Sequence, residues 1–146
     1  MNKKYKDMLS SLTNDEMPKS ADDRILIIDG LNTFINGVHV GGITGFLMSI
    51  AYAIRNIKPT RVIICFDGKG GSQRRRKLFP NYKSSRRVKH RMTRINDFNS
   101  VEDERIAMAQ QLQRLAQYLE TLPITVLSPE NIEADDAMAY ISQQLY

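Results

Sequence analysis

The chain has 146 residues, enough for one domain of ordinary size. Apolar residues make up 42% of it and charged residues 25%, which is typical of a globular chain and not of a disordered one. No apolar run reaches the roughly 18 residues that a membrane span requires. A single cysteine, Cys65, excludes a disulfide framework and a multi-cysteine zinc site. Residues 1–22 are polar without an apolar stretch, so we expect a tail there and no secretory signal.

The first half of the chain predicts a strand, a loop and a helix. Residues 24–28 (RILII) are apolar after Arg24, which predicts a buried strand that ends in a tight turn at Asp29-Gly30. Residues 31–42 contain three glycines and predict a loop. From residue 43 to residue 57 apolar residues recur with the helical period, which predicts a helix that is closed by the proline at position 59.

The second half repeats the alternation of strand and helix. Residues 61–66 predict a second buried strand that ends at Asp67-Gly68. Residues 101–121 predict a long helix capped by Ser100, with three carboxylates in its first turn. A third strand is predicted over residues 124–127, and a final helix follows Asp136. Strands that alternate with helices indicate an α/β fold with a parallel sheet.

The positive charge is concentrated between the second strand and the long helix. Eleven of the 21 Lys and Arg residues lie between Lys69 and Arg94, and none of the sixteen acidic residues does. This basic segment, residues 69–94, carries +11, whereas the rest of the chain carries −6. Such density predicts a mobile stretch that a polyanion would neutralise, and Phe79 and Tyr82 are placed to stack on bases. The favoured interpretation is nucleic-acid binding; a solvated loop or a trafficking tag is the alternative.

Carboxylates follow all three predicted strands, at the ends where ligands bind in parallel sheets. They are Asp29, Asp67, Glu133, Asp135 and Asp136. Each close pair of such charges, about 4 Å apart, costs about 4 kcal/mol at an effective dielectric constant of about 20, so cations are needed. Oxygen ligands favour Mg²⁺ or Mn²⁺, and His39 and His90 are expected at the surface instead. Singly, Asp29 and Asp67 are also explained as turn residues before a glycine, and Glu133, Asp135 and Asp136 as residues that cap a helix N-terminus.

A metal site beside a basic segment with aromatic residues indicates phosphodiester hydrolysis, in which the metal activates water and stabilises charge on the phosphate. The sequence has no GxxxxGK[ST] motif, so nucleotide hydrolysis by a P-loop is not expected.

Four stretches resemble a known family. They are IIDGLN (27–32), GGITGFLMSI (41–50), KPTRVIICFDGKGGSQRRRKLFPNYKSSR (58–86) and IEADDAMAYI (132–141). They are similar to the N-terminal, PIN-like domain of the 5′-3′ exonucleases and flap endonucleases, particularly the bacterial and phage branch. The resemblance implies a three-layer PIN-like domain with a central parallel sheet over residues 23–146, and a basic arch over about residues 69–100.

The resemblance also implies roles for individual residues. It assigns metal binding to Asp29, Asp67, Glu133, Asp135 and Asp136, and catalysis to Asp29, Asp67, Lys83, Arg86, Glu133 and Asp135. Lys83 and Arg86 match residues that contact the scissile phosphate, and Tyr82 matches an aromatic that stacks on a base. The nucleic-acid-binding set expected in the basic segment is Arg74, Arg75, Arg76, Lys77, Tyr82, Lys83, Arg86 and Arg87. The implied enzyme uses Mg²⁺ or Mn²⁺ on 5′ ends or flaps of DNA, in replication and repair in the cytoplasm of a bacterial or phage-infected cell.

Two departures from the family pattern shape the expectation. The Arg that usually follows DGxN shortly is missing after Asn32, and the chain ends at Tyr146, before the family's Asp-x-Asp strand and helix–hairpin–helix region. We therefore expect an N-terminal half that needs a C-terminal partner for activity. A non-catalytic nucleic-acid-binding or assembly module on a decayed nuclease fold is one alternative, and a small PIN-type ribonuclease is another.

Overall fold

The computed structural model of the protein describes residues 23–37, 41–84 and 98–145. The elements within these ranges, in chain order, are β1 (Ile25–Asp29), α1 (Gly30–Asn36), α2 (Gly42–Ile57), β2 (Arg61–Cys65), α3 (Gln73–Leu78), α4 (Val101–Leu119), β3 (Thr125–Leu127) and α5 (Ala134–Leu145). The predicted tail over residues 1–22 and the side chains of His39, Arg86, Arg87 and His90 lie outside the described residues.

The three strands form one parallel sheet with the order β1-β2-β3. Ile25 of β1 pairs with Arg61 of β2, and the register runs to Asp29 opposite Cys65. On the other side of β2, Ile63 pairs with Thr125 of β3. The predicted α/β fold with a parallel sheet is therefore confirmed.

The central strand β2 divides the core into two parts, because successive side chains of a strand point to opposite faces. Val62 and Ile64 pack on one face against α1, α2 and α4, through Phe34, Phe46, Ile50, Leu115 and Leu119. Ile63 and Cys65 pack on the other face, against Leu127 and the α5 residues Ala134, Ala137 and Ile141. Helices on both faces of the sheet give the three layers that were expected.

Helix α1 replaces the tight turn and loop predicted after β1. Asp29 caps this helix, since its Oδ1 accepts a hydrogen bond from the Asn32 amide at 2.9 Å. Gly30 opens the helix where a Cβ atom would lie 2.5 Å from the Phe66 ring, so a side chain does not fit. Phe34 is fully buried and anchors the helix in the core. The loop prediction was wrong over residues 31–36, because, of the three glycines that suggested it, only Gly37 lies at the end of this helix, while Gly41 and Gly42 lie at the start of α2.

The longer helices lie close to their predicted bounds. Helix α4 begins at Val101, and Ser100 Oγ accepts a hydrogen bond from the Asp103 amide at 3.1 Å, so the predicted cap is confirmed. Helix α2 begins one residue before its predicted start, and α5 begins at Ala134 where a start after Asp136 was expected.

In the part of the chain that the structure describes, no helix is both long and apolar enough to cross a membrane.

The loops that follow β2 and β3 are joined by backbone hydrogen bonds. The Gly68 amide donates to the Ile132 carbonyl at 3.0 Å, and the Asn131 amide donates to the Lys69 carbonyl at 2.8 Å. A Cβ atom at Gly68 would lie 1.5 Å from the Pro129 carbonyl oxygen, so only glycine allows this approach. The carboxyl ends of β2 and β3 are therefore held at a fixed spacing.

Candidate active site at the carboxyl edge of the sheet

The carboxyl edge of the sheet collects the predicted acidic residues. Asp29 ends β1, and Asp67 lies two residues beyond β2. Asp67 Oδ1 accepts a hydrogen bond from the Ala134 amide at 2.8 Å, which places this carboxylate at the start of α5. Glu133 directly precedes α5, and Asp135 and Asp136 lie in its first turn. Asp29 and Asp67 thus each accept a hydrogen bond from a helix N-terminus, where the alternative interpretation had expected turn residues, and both lie at the predicted edge.

Glu133 is the centre of the best-connected group at this edge. It is only 2% exposed. Its Oε1 accepts a hydrogen bond from Lys83 Nζ at 2.9 Å, and its Oε2 accepts one from the Tyr82 hydroxyl at 2.9 Å and another from the Arg75 guanidinium. A buried carboxylate needs such compensation, and three donors from one segment supply it here.

Arg75 connects this group to α5. It projects from α3, and its two terminal nitrogens form ion pairs with Glu133 and with Asp136. Its Nη1 also donates a hydrogen bond to the Tyr82 hydroxyl at 2.9 Å, and its guanidinium carbon lies 5.6 Å from the centre of the Tyr82 ring. The basic segment is therefore joined to the acidic edge by direct contacts.

The backbone at Lys83 is held in an unusual conformation. Its φ of 60° lies in the left-handed region, which is uncommon for residues other than glycine. Such strain persists only when surrounding contacts enforce it, and it is frequent at functional sites. The Lys83 side chain contacts Glu133, and its ammonium group lies 5.0 Å from the Tyr82 ring centre.

The charges in this group shift one another's pKa values. Burial works to raise the pKa of Glu133, but the hydrogen bonds from Lys83 and Tyr82 and the charges of Lys83 and Arg75 together lower it below its usual value. Burial works to lower the pKa of Lys83, yet its hydrogen bonds to Glu133 and Tyr82 and their charges raise it. The hydrogen bond to Tyr82 and the neighbouring carboxylates raise the pKa of Arg75. All three groups therefore remain charged near neutral pH.

The five carboxylates share the edge without forming a single cluster. Within residues 23–37, 41–84 and 98–145, no three Asp, Glu, His or Cys side chains lie close enough together to hold a metal ion as one group. This differs from the predicted gathering of all five. Lys83 and Arg75 offset the charge of Glu133, and Asp29 and Asp67 are each turned to a helix amide.

The remaining predicted residues separate into two sets. Arg74, Arg76 and Lys77 lie exposed on α3, and no ion pair with another described residue is seen for them. Arg86 and Arg87 lie outside the described residues.

The contact of Arg75 and Tyr82 with Glu133 was not predicted. The signal for it was the charge pattern, because a +11 segment next to a −6 body favours pairing between them.

Comparison with known proteins agrees with this fold. The sequence model described as "5′-3′ exonuclease, N-terminal resolvase-like domain" matches residues 24–146. A 5′-3′ exonuclease of Mycobacterium tuberculosis (strain ATCC 25618 / H37Rv) is 27% identical over 107 residues, which are 73% of this chain and 33% of that protein. The chain thus spans about a third of the curated relative.

Two crystal structures of a bacteriophage T5 protein share the fold. The T5 D15 protein co-crystallised with metal ions has a TM-score of 0.60 at 19% identity, covering 82% of this chain and 44% of its own. The T5 D15 flap endonuclease, as a pseudo-enzyme-product complex with DNA and metal ions, has a TM-score of 0.57 at 18% identity, covering 82% of this chain and 43% of its own. At these identities the likeness concerns the fold alone. The match over residues 24–146 decides the family: the chain belongs to the 5′-3′ exonuclease N-terminal, resolvase-like domains.

Proposed function

We propose that this chain is the N-terminal part of a metal-dependent 5′-nuclease that hydrolyses DNA phosphodiesters at 5′ ends or flaps. The observation that carries the proposal is the buried Glu133, beside Asp67 at the carboxyl edge of the sheet, in contact with cations of the basic segment. The family supports the reaction class. The relative named a 5′-3′ exonuclease and the flap endonuclease crystallised with DNA support the substrate.

The donor atoms at this edge fit a divalent cation. All candidate ligands are carboxylates, which suit Mg²⁺ or Mn²⁺. Asp29 and Asp67 each use one oxygen for a helix amide, and the described residues donate no hydrogen bond to the other oxygen. From the family pattern we assign the metal to Asp29, Asp67, Glu133, Asp135 and Asp136. Within the described residues these side chains do not yet form one group, so metal binding would draw them together. Bound there, the metal would supply an activated water and a Lewis acid for the phosphate.

The cations of the basic segment fit the binding of a phosphate anion. Lys83 and Arg75 keep their positive charges beside the acidic edge, where a phosphodiester would have to approach. Arg, with its planar fork of donors, suits phosphate oxygens, and Lys supplies a compact charge. We assign contact with the scissile phosphate to Lys83 and, from the family pattern, to Arg86. The hydroxyl of Tyr82 links Arg75 to Glu133 and orients both side chains.

The relatives are longer than this chain, which indicates that the proposed enzyme has a further region. The chain spans 33% of the curated relative and 44% of the T5 D15 protein. We propose that a C-terminal nuclease region, on the same or on a separate polypeptide, adds further ligands and the duplex contacts. We place the reaction in the cytoplasm of a bacterial or phage-infected cell, where the DNA substrate lies.

The substitution Asp67→Asn tests the role of the negative charge at position 67 without removing the hydrogen bond that supports the fold. Asp67→Asn keeps an oxygen that can accept the hydrogen bond from the Ala134 amide but removes the negative charge. Asp23→Asn is the matched control, because Asp23 lies at the opposite end of β1, where its Oδ1 accepts a hydrogen bond from Thr60 Oγ1 at 3.1 Å. We expect millimolar Mg²⁺ or Mn²⁺ to raise the melting temperature of the wild type and of Asp23→Asn, and to raise that of Asp67→Asn much less. A ligand at 100 times its Kd stabilises by about 2.7 kcal/mol.

Cleavage of a 5′-flap DNA in the presence of Mg²⁺ completes the test. A melting temperature that does not respond to Mg²⁺ or Mn²⁺ contradicts the metal site and supports a non-catalytic binding module. Preference for single-stranded RNA over flap DNA would instead support a ribonuclease. Rapid flap cleavage by this chain alone, abolished by Asp67→Ala, would contradict the need for a C-terminal fragment.

A further inference from the structure

The two aromatic residues of the basic segment lie in opposite environments. Tyr82 is half-buried, and its hydroxyl is bonded to Arg75 and Glu133. Phe79, directly after α3, is 68% exposed. The resemblance to the nuclease family assigns base stacking to Tyr82, but the structure uses Tyr82 to connect two charged groups.

The backbone that carries Phe79 is fixed although its ring is exposed. The Phe79 amide donates to the Arg75 carbonyl at 2.7 Å and ends α3, and the Phe79 carbonyl accepts from the Tyr82 amide at 2.8 Å. Pro80 follows directly and restricts the chain further. The ring is thus presented from an ordered turn, which lowers the entropy cost of placing it against a ligand.

Charge indicates what covers this ring. The neighbouring side chains Arg74, Arg76 and Lys77 are exposed, and the segment from Lys69 to Ser84 contains no Asp or Glu. A partner that offers both negative charge and flat apolar surface matches this combination. Single-stranded nucleic acid has both, since its backbone is anionic and its unpaired bases have free faces.

We propose that Phe79 is a base-stacking residue for a single-stranded segment of nucleic acid that lies along α3. The inference rests on the proposed nuclease function and adds a contact that the family pattern does not assign. Exposed Leu78, 66% accessible, serves as the internal comparison, because it offers apolar area without an aromatic face.

The test is binding of a fluorescent dT oligonucleotide at low salt, with a blunt DNA duplex as a second probe. Stacking on one base is worth about 1–3 kcal/mol, so Phe79→Ala should weaken binding of the oligonucleotide by about 5- to 150-fold. Phe79→Leu should weaken it similarly, whereas Phe79→Trp and Leu78→Ala should bind nearly as well as the wild type. Duplex affinity should change little, because paired bases have no free face. The dependence on salt should be unchanged, because no charge is removed.

A second readout comes from Phe79→Trp. The chain has no tryptophan, so this variant carries a single indole whose fluorescence should be quenched when it stacks on a base. Oligonucleotide binding that is equal in the wild type, Phe79→Ala and Phe79→Leu overturns the base-stacking role and leaves the proposed function standing. Failure of the wild type to bind either probe at low salt overturns both.

Discussion

Arg75→Ala tests whether the contact between the basic segment and α5 stabilises the fold. The guanidinium of Arg75 pairs with the buried Glu133 and with Asp136, whose side chain is 52% exposed. The substitution removes both ion pairs. It leaves Lys83 and the Tyr82 hydroxyl on Glu133, so the carboxylate keeps part of its compensation.

The expected cost follows from the exposure of each partner. A hydrogen bond to a buried charged group contributes about 1.5–3 kcal/mol. The exposed pair with Asp136 contributes at most about 1 kcal/mol. Arg and Ala have similar helix propensities, so the backbone adds little. We expect the free energy of unfolding to fall by about 2 kcal/mol. That is less than the roughly 3–5 kcal/mol for breaking a fully buried pair, because Lys83 remains.

The assay is thermal and urea unfolding of the metal-free protein in EDTA. A loss of about 2 kcal/mol corresponds to a fall in melting temperature of about 6–7 °C for a domain of this size. Arg76→Ala is the matched control, since Arg76 lies next to Arg75 on α3 but is exposed. We expect it to change stability by less than about 0.5 kcal/mol. A double-mutant cycle with Glu133→Gln should show a coupling energy of about 1–3 kcal/mol.

Equal melting temperatures for Arg75→Ala and Arg76→Ala would refute this reasoning, because the geometry of the Glu133 contact would then contribute nothing. So would an effect that disappears in about 1 M salt, where the Debye length falls to about 3 Å, because a buried contact is screened little.

Three further outcomes are expected. Because the pKa of Glu133 is lowered from its ordinary value of 4.5, the ionised side chain stabilises the folded protein at pH values above 4.5, and this stability is lost as the pH falls through the folded pKa. Glu133→Gln should therefore flatten the acid limb of a plot of stability against pH. Burial, and then the charge of Asp29, raises the pKa of Cys65 from 9.0 to about 11, so stability should fall as the pH rises from 9 towards 11, and a thiol reagent at pH 8 should label Cys65 only after unfolding. Ser100→Ala should cost about 1 kcal/mol in urea unfolding, and Ser100→Asp should cost much less, because it retains a capping oxygen.

The elements that were predicted best from the sequence are those in which apolar residues recur at a regular spacing. The apolar run of β2 and the stripe of α2 repeat at the spacing of a strand and of a helix, and their bounds came within a residue of the structure. The parallel sheet followed from the alternation of these elements. The shared edge of Asp29, Asp67 and the α5 carboxylates followed in turn from the parallel sheet.

The features that the sequence did not predict, helix α1 and the contact of Arg75 with Glu133, depend on interactions that a local sequence pattern does not show. Helix α1 is short, and its formation depends on the cap at Asp29 and on the burial of Phe34, which a local pattern does not show. Arg75 has a long, flexible side chain, so its choice between solvent and Glu133 is decided by the position of α5, more than fifty residues later. A dense run of cations predicted repulsion, whereas the fold pairs two of them with acids.

The close approach of Gly68 to the Pro129 carbonyl affects how a mutational scan of this chain should be interpreted. Any side chain at position 68 would push apart the two loops that fix Asp67 and Glu133, so every substitution there should abolish function. Asp67, the preceding residue and a proposed metal ligand, should be equally intolerant for a different reason, the loss of a charge. Fitness alone would score the two positions alike. Measuring the amount of folded protein for each variant separates them, because Gly68 variants should be depleted from the cell, while Asp67→Asn should accumulate as inactive protein.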